Sequence, residues 1–500
     1  MTETTGNLGG VLKRGAAMSA VGLVLAQGAT VVQTVVVGRI LGPAEVGIFT
    51  AGTILIGFLV TFSQGGLAQA LIQRATDVEN AANTALVATV VTGVLGSLGV
   101  LAASPLIGAI FHSSRVGHIA AASSGLIALY ALASVPDALM QRAFQFRRQM
   151  IITPTISIVL AGVAIVFALR GYGAWSMVIG WYVAVVTAVV LSWWMARWRP
   201  FGGRFSFHIW RDMAGFSFPV LLDAIADRTR EVIEQAIVGR VLGTSDLGHY
   251  RYAYRIASLP SLALITTCAH VLFPAFSRIS DDSTRFRQAF MRALGWVWFA
   301  AAPGGVLMIA LGQPVVVLML GEEWRAAGTA AAAMAGIGLG AALNAVTGEA
   351  MKGAGRSSLL NWSPAICLGL GLPLILLFVP FGLVGVGIAI SVTCLVVGIV
   401  NLELARGVVG ASRREITKCL LPTSVSAVVA AVVLWPLEHY VVRSDHFPEL
   451  TGLGLVLAEC VLFTIVYLSV MRVAAPAMYQ TVLGALGRGV AKATGPARRA

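Results

Sequence analysis

The sequence predicts an all-α polytopic membrane protein of about 14 transmembrane helices, and three observations carry that prediction. The first is composition: 57% of the 500 residues are hydrophobic, only 11% are charged, and the mean hydropathy is +0.85. Soluble domains carry about 25% charged residues, so most of this chain belongs in lipid. The second is spacing, because polar stretches between apolar segments rarely exceed about 15 residues, against the ~100 of a typical soluble domain. The third is duplication. Gly38 to Gly47 read GRILGPAEVG and, 201 residues on, Gly239 to Gly248 read GRVLGTSDLG. Five positions are identical, and an acid, Glu45 or Asp246, stands two residues before the last glycine of each copy. Duplicated halves in a polytopic chain point to a transporter, with substrate held between halves that move against each other.

Roughly 20 apolar residues make one crossing. That yardstick places helices near 15–37, 46–72, 83–110, 117–140, 151–169, 174–196, 214–238, 248–275, 293–313, 327–350, 358–379, 383–405, 420–441 and 451–471. From one copy of the motif to the next the map advances by six helices, an even number. Equivalent helices therefore run in the same direction, which sets the pseudo-two-fold axis along the membrane normal. The expected organisation is two six-helix bundles, residues 1–200 and 201–410, an extra helix pair at 411–475 and a basic tail at 476–500. Glycine-rich turns, GYGAW at 171–175 and GLVGVG at 382–387, lead into the sixth and twelfth helices, a second and weaker echo of the repeat.

Of the 35 Lys and Arg, 25 fall in the N-terminus, the even-numbered loops and the C-terminal tail, or beside them. The odd-numbered loops hold six: Arg39, Arg115, Arg170, Arg240, Arg325 and Arg443. This bias predicts an inner (cytoplasmic) membrane protein with both termini in the cytoplasm. A basic rim facing anionic membrane lipid accounts for the net charge of +13 without a nucleic-acid partner. The polar opening MTETTGNLGG is not followed by a short apolar core and small-residue cleavage site, so no removable signal peptide is expected. Cys268, Cys367, Cys394, Cys419 and Cys460 show no CxxC spacing, and the seven His form no HExxH. Neither a metal site, a disulfide framework nor a cofactor is expected.

Charge inside a membrane segment costs about 2.5–3.5 kcal/mol per residue on insertion scales and marks a cavity or a partner. The seventh segment holds Asp223, Asp227, Arg228, Arg230, Glu231 and Glu234. At ~100° per residue, Asp223, Asp227, Arg230 and Glu234 share a stripe about 60° wide, with Glu231 at its edge and Arg228 off it. The stripe and edge positions correspond, 201 residues earlier, to Gly22, Ala26, Ala29, Gln33 and Thr30, which are neutral. The eighth segment adds Arg251 and Arg255 between Tyr250, Tyr252 and Tyr254, where the first half has Thr50 and Ile54 at the arginine positions. The two segments form a hairpin, so Glu231 and Glu234 are expected level with Arg251 and Arg255 and within reach of ion pairing. Two readings stand side by side. In one the charges only neutralise one another. In the other they line a wet cavity, where Arg255, Arg251, Arg230, Arg228 and Tyr254 meet an anionic substrate and Asp223, Asp227, Glu231 or Glu234 takes a coupling ion. Six charges on one helix favour the cavity.

Four phrases then carry a family resemblance: VVVGRILGPAEVGIFTAG (35–52), LMQRAFQFRRQ (139–149), GHYRYAYRIASLP (248–260) and LGEEWRAAG (320–328). Over residues 10–410 the chain resembles polysaccharide-export flippases of the Wzx and WzxC-like branch, within the multidrug/oligosaccharidyl-lipid/polysaccharide exporter superfamily. The resemblance implies two six-helix bundles, alternating access and a polyprenyl-diphosphate-linked oligosaccharide as cargo for exopolysaccharide, capsule or O-antigen assembly. It also implies work alongside a polysaccharide polymerase and a chain-length regulator. Arg255 and Arg240 stand on matching motif positions; Arg240, repeated as Arg39 in the neutral half, reads as a helix-end anchor. Rival functions are a proton- or sodium-coupled multidrug or metabolite antiporter of the same superfamily and, from another class, a membrane polymerase or glycosyltransferase. The last is disfavoured by the absence of any large extramembrane segment.

Overall fold

A computed structural model describes the backbone of residues 5–480 other than 75, 144, 145, 201 and 477. The basic tail beyond residue 480 and the side chain of Asp223 lie outside the described residues. The chain divides into two compact units, Met1–Arg251 and Tyr252–Ala500. The first unit holds α1 (Thr5–Gly52), α2 (Ile56–Gln64), α3 (Leu67–Gln73), α4 (Val78–Ile110) and α5 (Ser114–Ser123). It continues through α6 (Leu126–Arg142), α7 (Phe146–Leu169), α8 (Ala174–Ala196) and α9 (Phe207–Val241) into the start of α10 (Thr244–Arg278). The second unit takes the rest of α10, then α11 (Ser283–Leu320), α12 (Arg325–Ala333), α13 (Gly336–Gly353) and α14 (Trp362–Ile366). It ends with α15 (Leu372–Phe378), α16 (Gly382–Val409), α17 (Arg413–Pro436) and α18 (Glu449–Ala474).

Every expected apolar segment coincides with a helix or a run of helices. Among the described residues, nine such runs are long and apolar enough to cross a membrane, and α12 with α13, bent by 41°, makes a tenth. The 35-residue α9 and α10 are long enough for a core of about 30 Å.

The breaks differ from the expectation. Residues 38–45 are not a loop: α1 runs on and kinks at Gly42, whose φ of 69° suits glycine, and Pro43 restarts the helix. The segment expected at 46–72 is three pieces, parted at Thr53–Leu55 and at Gly65–Gly66. The segment at 117–140 breaks at Ser124–Gly125, and its counterpart at 327–350 breaks at Met334–Ala335. The two halves therefore share a broken helix that hydropathy alone does not reveal.

Cores explain the packing in each unit. In the first, Leu67, Leu71, Ala82, Val135, Ala138, Ile209 and Met213 bury one end of α3, α4, α6 and α9 together. Packing of α9 on α2, α3 and α4 carries the first unit as far as Arg251. In the second, Phe276, Phe286, Phe290, Val346, Ala350 and Ala405 join α10, α11, α13 and α16. The appended pair α17 and α18 docks on α11 through Leu311, Leu318, Ala427, Leu434, Val456 and Phe463. The opposite faces stay apolar and exposed, as with Val428 and Val432 on α17 or Leu457 and Val461 on α18, the pattern of helices bathed in lipid.

Candidate functional site

Ser206 opens α9 by accepting the Ile209 N–H, and the helix then runs without a break through its charged stretch. Asp227 lies about 30 Å along the helix, with Glu231 about 15 Å from its other end, so the charges sit well inside a helix long enough to cross a membrane. Their described ion-pair partners are on α9 itself. Arg230 donates to Asp227 Oδ1 at 3.1 Å and to Glu234 Oε1 at 2.6 Å, and Arg228 donates to Glu231 Oε2 at 2.6 Å. Gln235 adds a bond to Glu231 Oε1 at 3.2 Å, and the Tyr250 hydroxyl donates to Glu234 Oε2 at 3.3 Å. These are the i,i+3 and i,i+4 spacings that bring helical side chains together.

Burial divides the set. The side chain of Glu234 is 6% exposed and that of Arg230 18%, whereas Asp227, Arg228 and Glu231 are 63%, 45% and 43% exposed. Arg230 and Glu234 thus form a sheltered pair, while the other three present charge on an open face. Charge at this depth requires water rather than hydrocarbon beside it.

On α10, Arg251 stands over the Phe49 ring at 5.6 Å, which in turn packs on Trp181 at 5.9 Å. Tyr252 stacks on Trp324 at 4.3 Å, joining two of the four phrases singled out in the sequence. Tyr254 and Arg255 are half-buried on the same helix. No group of three or more His, Cys, Asp or Glu comes together as a metal site among the described residues.

The duplicated motif has a structural role in both copies. Its final glycines meet: a Cβ on Gly47 would lie 1.7 Å from the Thr244 carbonyl oxygen, and one on Gly248 would lie 2.0 Å from that of Pro43. Only glycine permits this backbone approach. Arg240 donates to the Ile110 carbonyl at 2.8 Å, anchoring the last turn of α4.

Several other described partners are far apart in the sequence. Glu45 accepts from Arg115 at 2.7 Å and from the Ala174 N–H at 2.8 Å, holding the start of α8. Arg142 donates to the Leu71 and Ile72 carbonyls at 3.2 Å, closing the end of α3. Asp137 accepts from Ser192 at 2.6 Å, and Glu349 pairs with Lys352 at 2.9 Å. Partners 55 to 129 residues apart leave no local signal; only the Glu349–Lys352 pair was legible from spacing.

With the geometry in view, comparison with known proteins places the chain. Residues 36–328 match the family described as polysaccharide biosynthesis protein. The chain is 26% identical over 292 residues to the succinoglycan biosynthesis transport protein ExoT of Rhizobium meliloti (strain 1021), covering 58% of each chain. It is 26% identical over 315 residues to the lipopolysaccharide biosynthesis protein WzxC of Escherichia coli (strain K12), covering 62% of this chain and 63% of that one. The match thus spans about three fifths of the length of these relatives. Among solved structures, the lipid II flippase MurJ in an inward closed conformation superposes with a TM-score of 0.75 at 14% identity, covering 93% of this chain and all of MurJ. An inward-facing multidrug resistance MATE transporter of the MOP superfamily gives 0.63 at 15% identity, over 77% of this chain and 94% of that one. The fold is that of MOP-superfamily transporters.

Proposed function

We propose, because the chain belongs to the polysaccharide biosynthesis protein family, that it is a flippase for polyprenyl-diphosphate-linked oligosaccharide repeat units, working by alternating access. The relatives support the cargo class: one is named for succinoglycan transport, one for lipopolysaccharide and one, TuaB of Bacillus subtilis (strain 168), for teichuronic acid biosynthesis. The observation that carries the reading is the open charged face of α9, with Asp227, Arg228 and Glu231 exposed well inside a helix long enough to cross a membrane. A charged glycan headgroup needs a wet, polar surface of this kind, while the polyprenyl tail stays in lipid.

Roles follow from charge. Arg255, Arg251 and Arg228 bind the diphosphate, Arg255 foremost, and Tyr254 borders them; Arg230 holds Glu234 in place. Guanidinium groups suit phosphate oxygens because their planar fork donates two parallel bonds. The halves 1–200 and 201–410 are the moving bundles, both termini are cytoplasmic, and a polysaccharide polymerase and a chain-length regulator act downstream. The antiporter reading is weaker, since Asp227, Glu231 and Glu234 are each already engaged by an arginine of α9 within 3.1 Å.

Deletion tests the proposal. Surface or secreted polysaccharide should be lost, and lipid-linked repeat units should accumulate on the cytoplasmic side. Normal polysaccharide together with drug hypersensitivity would move the assignment to the antiporter.

A further inference from the structure

The appended helices hold two acids that the transport site does not use. Glu438 lies at the end of α17, just past Pro436, and Glu459 lies ten residues into α18. Both are buried, at 6% and 4% exposure. Glu438 Oε1 accepts from the Ser444 N–H at 3.0 Å and from the Ser444 hydroxyl at 2.7 Å. Its Oε2 and both carboxyl oxygens of Glu459 are buried without a hydrogen-bond donor among the described residues. The two carboxyls are neighbours at the α17–α18 interface, each within a turn of the packed residues Leu434, Val456 and Phe463.

Among the described residues, no cation is paired with either acid. Leu434, Val456, Phe463 and Leu318 form the apolar packing of α17, α18 and α11 here. Arg325, at the start of α12, is held by Glu322 at 2.5 Å and by Asp445 at 2.7 Å, and His446 lies 3.9 Å from the same Asp445. Cys460 neighbours Glu459 on α18, and the Tyr467 hydroxyl donates to the Phe299 carbonyl. Two adjacent carboxylates in an apolar site cannot both ionise at ordinary pH, and a proton between them satisfies one donor and one acceptor at once.

We propose that Glu438 and Glu459 form a binding site for one proton, carried by Glu459 and donated in a hydrogen bond to Glu438 Oε2. Ser444 fixes the assignment: its two donors stabilise Glu438 as the carboxylate, leaving Glu459 as the acid. Uptake and release of the proton move the pair between one and two negative charges, with no other bond made or broken. A metal cation fits poorly, since only two carboxyls meet here and a hard ion such as calcium takes roughly six to eight oxygens.

Dicyclohexylcarbodiimide, which reacts with protonated carboxyls in apolar surroundings, tests this on the purified full chain. Adducts are mapped by mass spectrometry in the wild type, Glu438→Gln and Glu459→Gln, with size-exclusion profiles confirming that each is folded. One adduct per chain is expected, on Glu459. At alkaline pH it should fall in Glu438→Gln, by roughly tenfold for each pK unit of like-charge effect removed. Replacing choline chloride with sodium chloride should change nothing. The proposal is overturned by a folded protein with no adduct on either acid, by adducts on both acids of one chain, or by sodium protection, which would make the pair a sodium site.

Discussion

Arg230 and Arg255 are two arginines in adjacent charged segments, and separate experiments test the role of each. Arg230 bridges Asp227 and the buried Glu234, so Arg230→Ala strands a carboxylate that is 6% exposed. Losing one partner of a buried pair costs about 3–5 kcal/mol, so the variant should melt well below the wild type in detergent. Adding Glu234→Gln should restore most of that loss. Arg255→Ala, if Arg255 grips diphosphate, should abolish export at unchanged melting temperature, and Arg255→Lys should keep part of the activity because it retains the charge without the fork. A melting-temperature loss in Arg255→Ala equal to that of Arg230→Ala, reversed by Glu231→Gln or Glu234→Gln, would make Arg255 a structural residue. The sequence showed which helix is charged but pointed across the hairpin for its partners. Depth matching favoured Arg251 and Arg255, whereas the described pairs use the spacings 227–230, 230–234 and 228–231 already present on α9.

Helices as units were legible because runs of about 20 apolar residues have few alternatives in a chain this hydrophobic. Their interruptions were not, since a kink at Gly42 or a break at Ser124–Gly125 changes hydropathy hardly at all. The duplicated decapeptide was legible as a repeat, yet its purpose appears only in three dimensions, where Gly47 and Gly248 bring α1 and α10 into backbone contact. Gly47→Ala and Gly248→Ala should each drive the helices apart and lower stability by about 1–3 kcal/mol, as overpacking does elsewhere. Gly28→Ala, with nothing within 4 Å of the added carbon, is the matched control and should be silent or slightly stabilising. Melting curves of the three purified variants decide it; equal curves for all three would mean that the contact bears no stability.

At the scale of the whole chain, cross-connections within each unit test the alternation of the helix map. In the first unit Arg115 meets Glu45, and Arg240 meets Ile110 and His112; all lie at odd-numbered connections. Arg204 and Ser206 donate to Asn80 and Thr84, and Arg142 donates to Leu71; all lie at even-numbered ones. The second unit repeats the pattern, with Arg325 on Asp445 at odd connections and Arg287 on Glu415 at even ones. Odd meets odd and even meets even, as an alternating path requires. The basic bias, with 25 of 35 cations on the even side, predicts that the even face is cytoplasmic. In a variant cleared of its five native cysteines, a membrane-impermeant maleimide should therefore label Glu323→Cys in intact cells and Arg199→Cys only after permeabilisation. Both positions are exposed, so failure to label cannot be ascribed to burial. Labelling of Arg199→Cys alone in intact cells would invert the orientation, and labelling of both from one side would break the alternation itself.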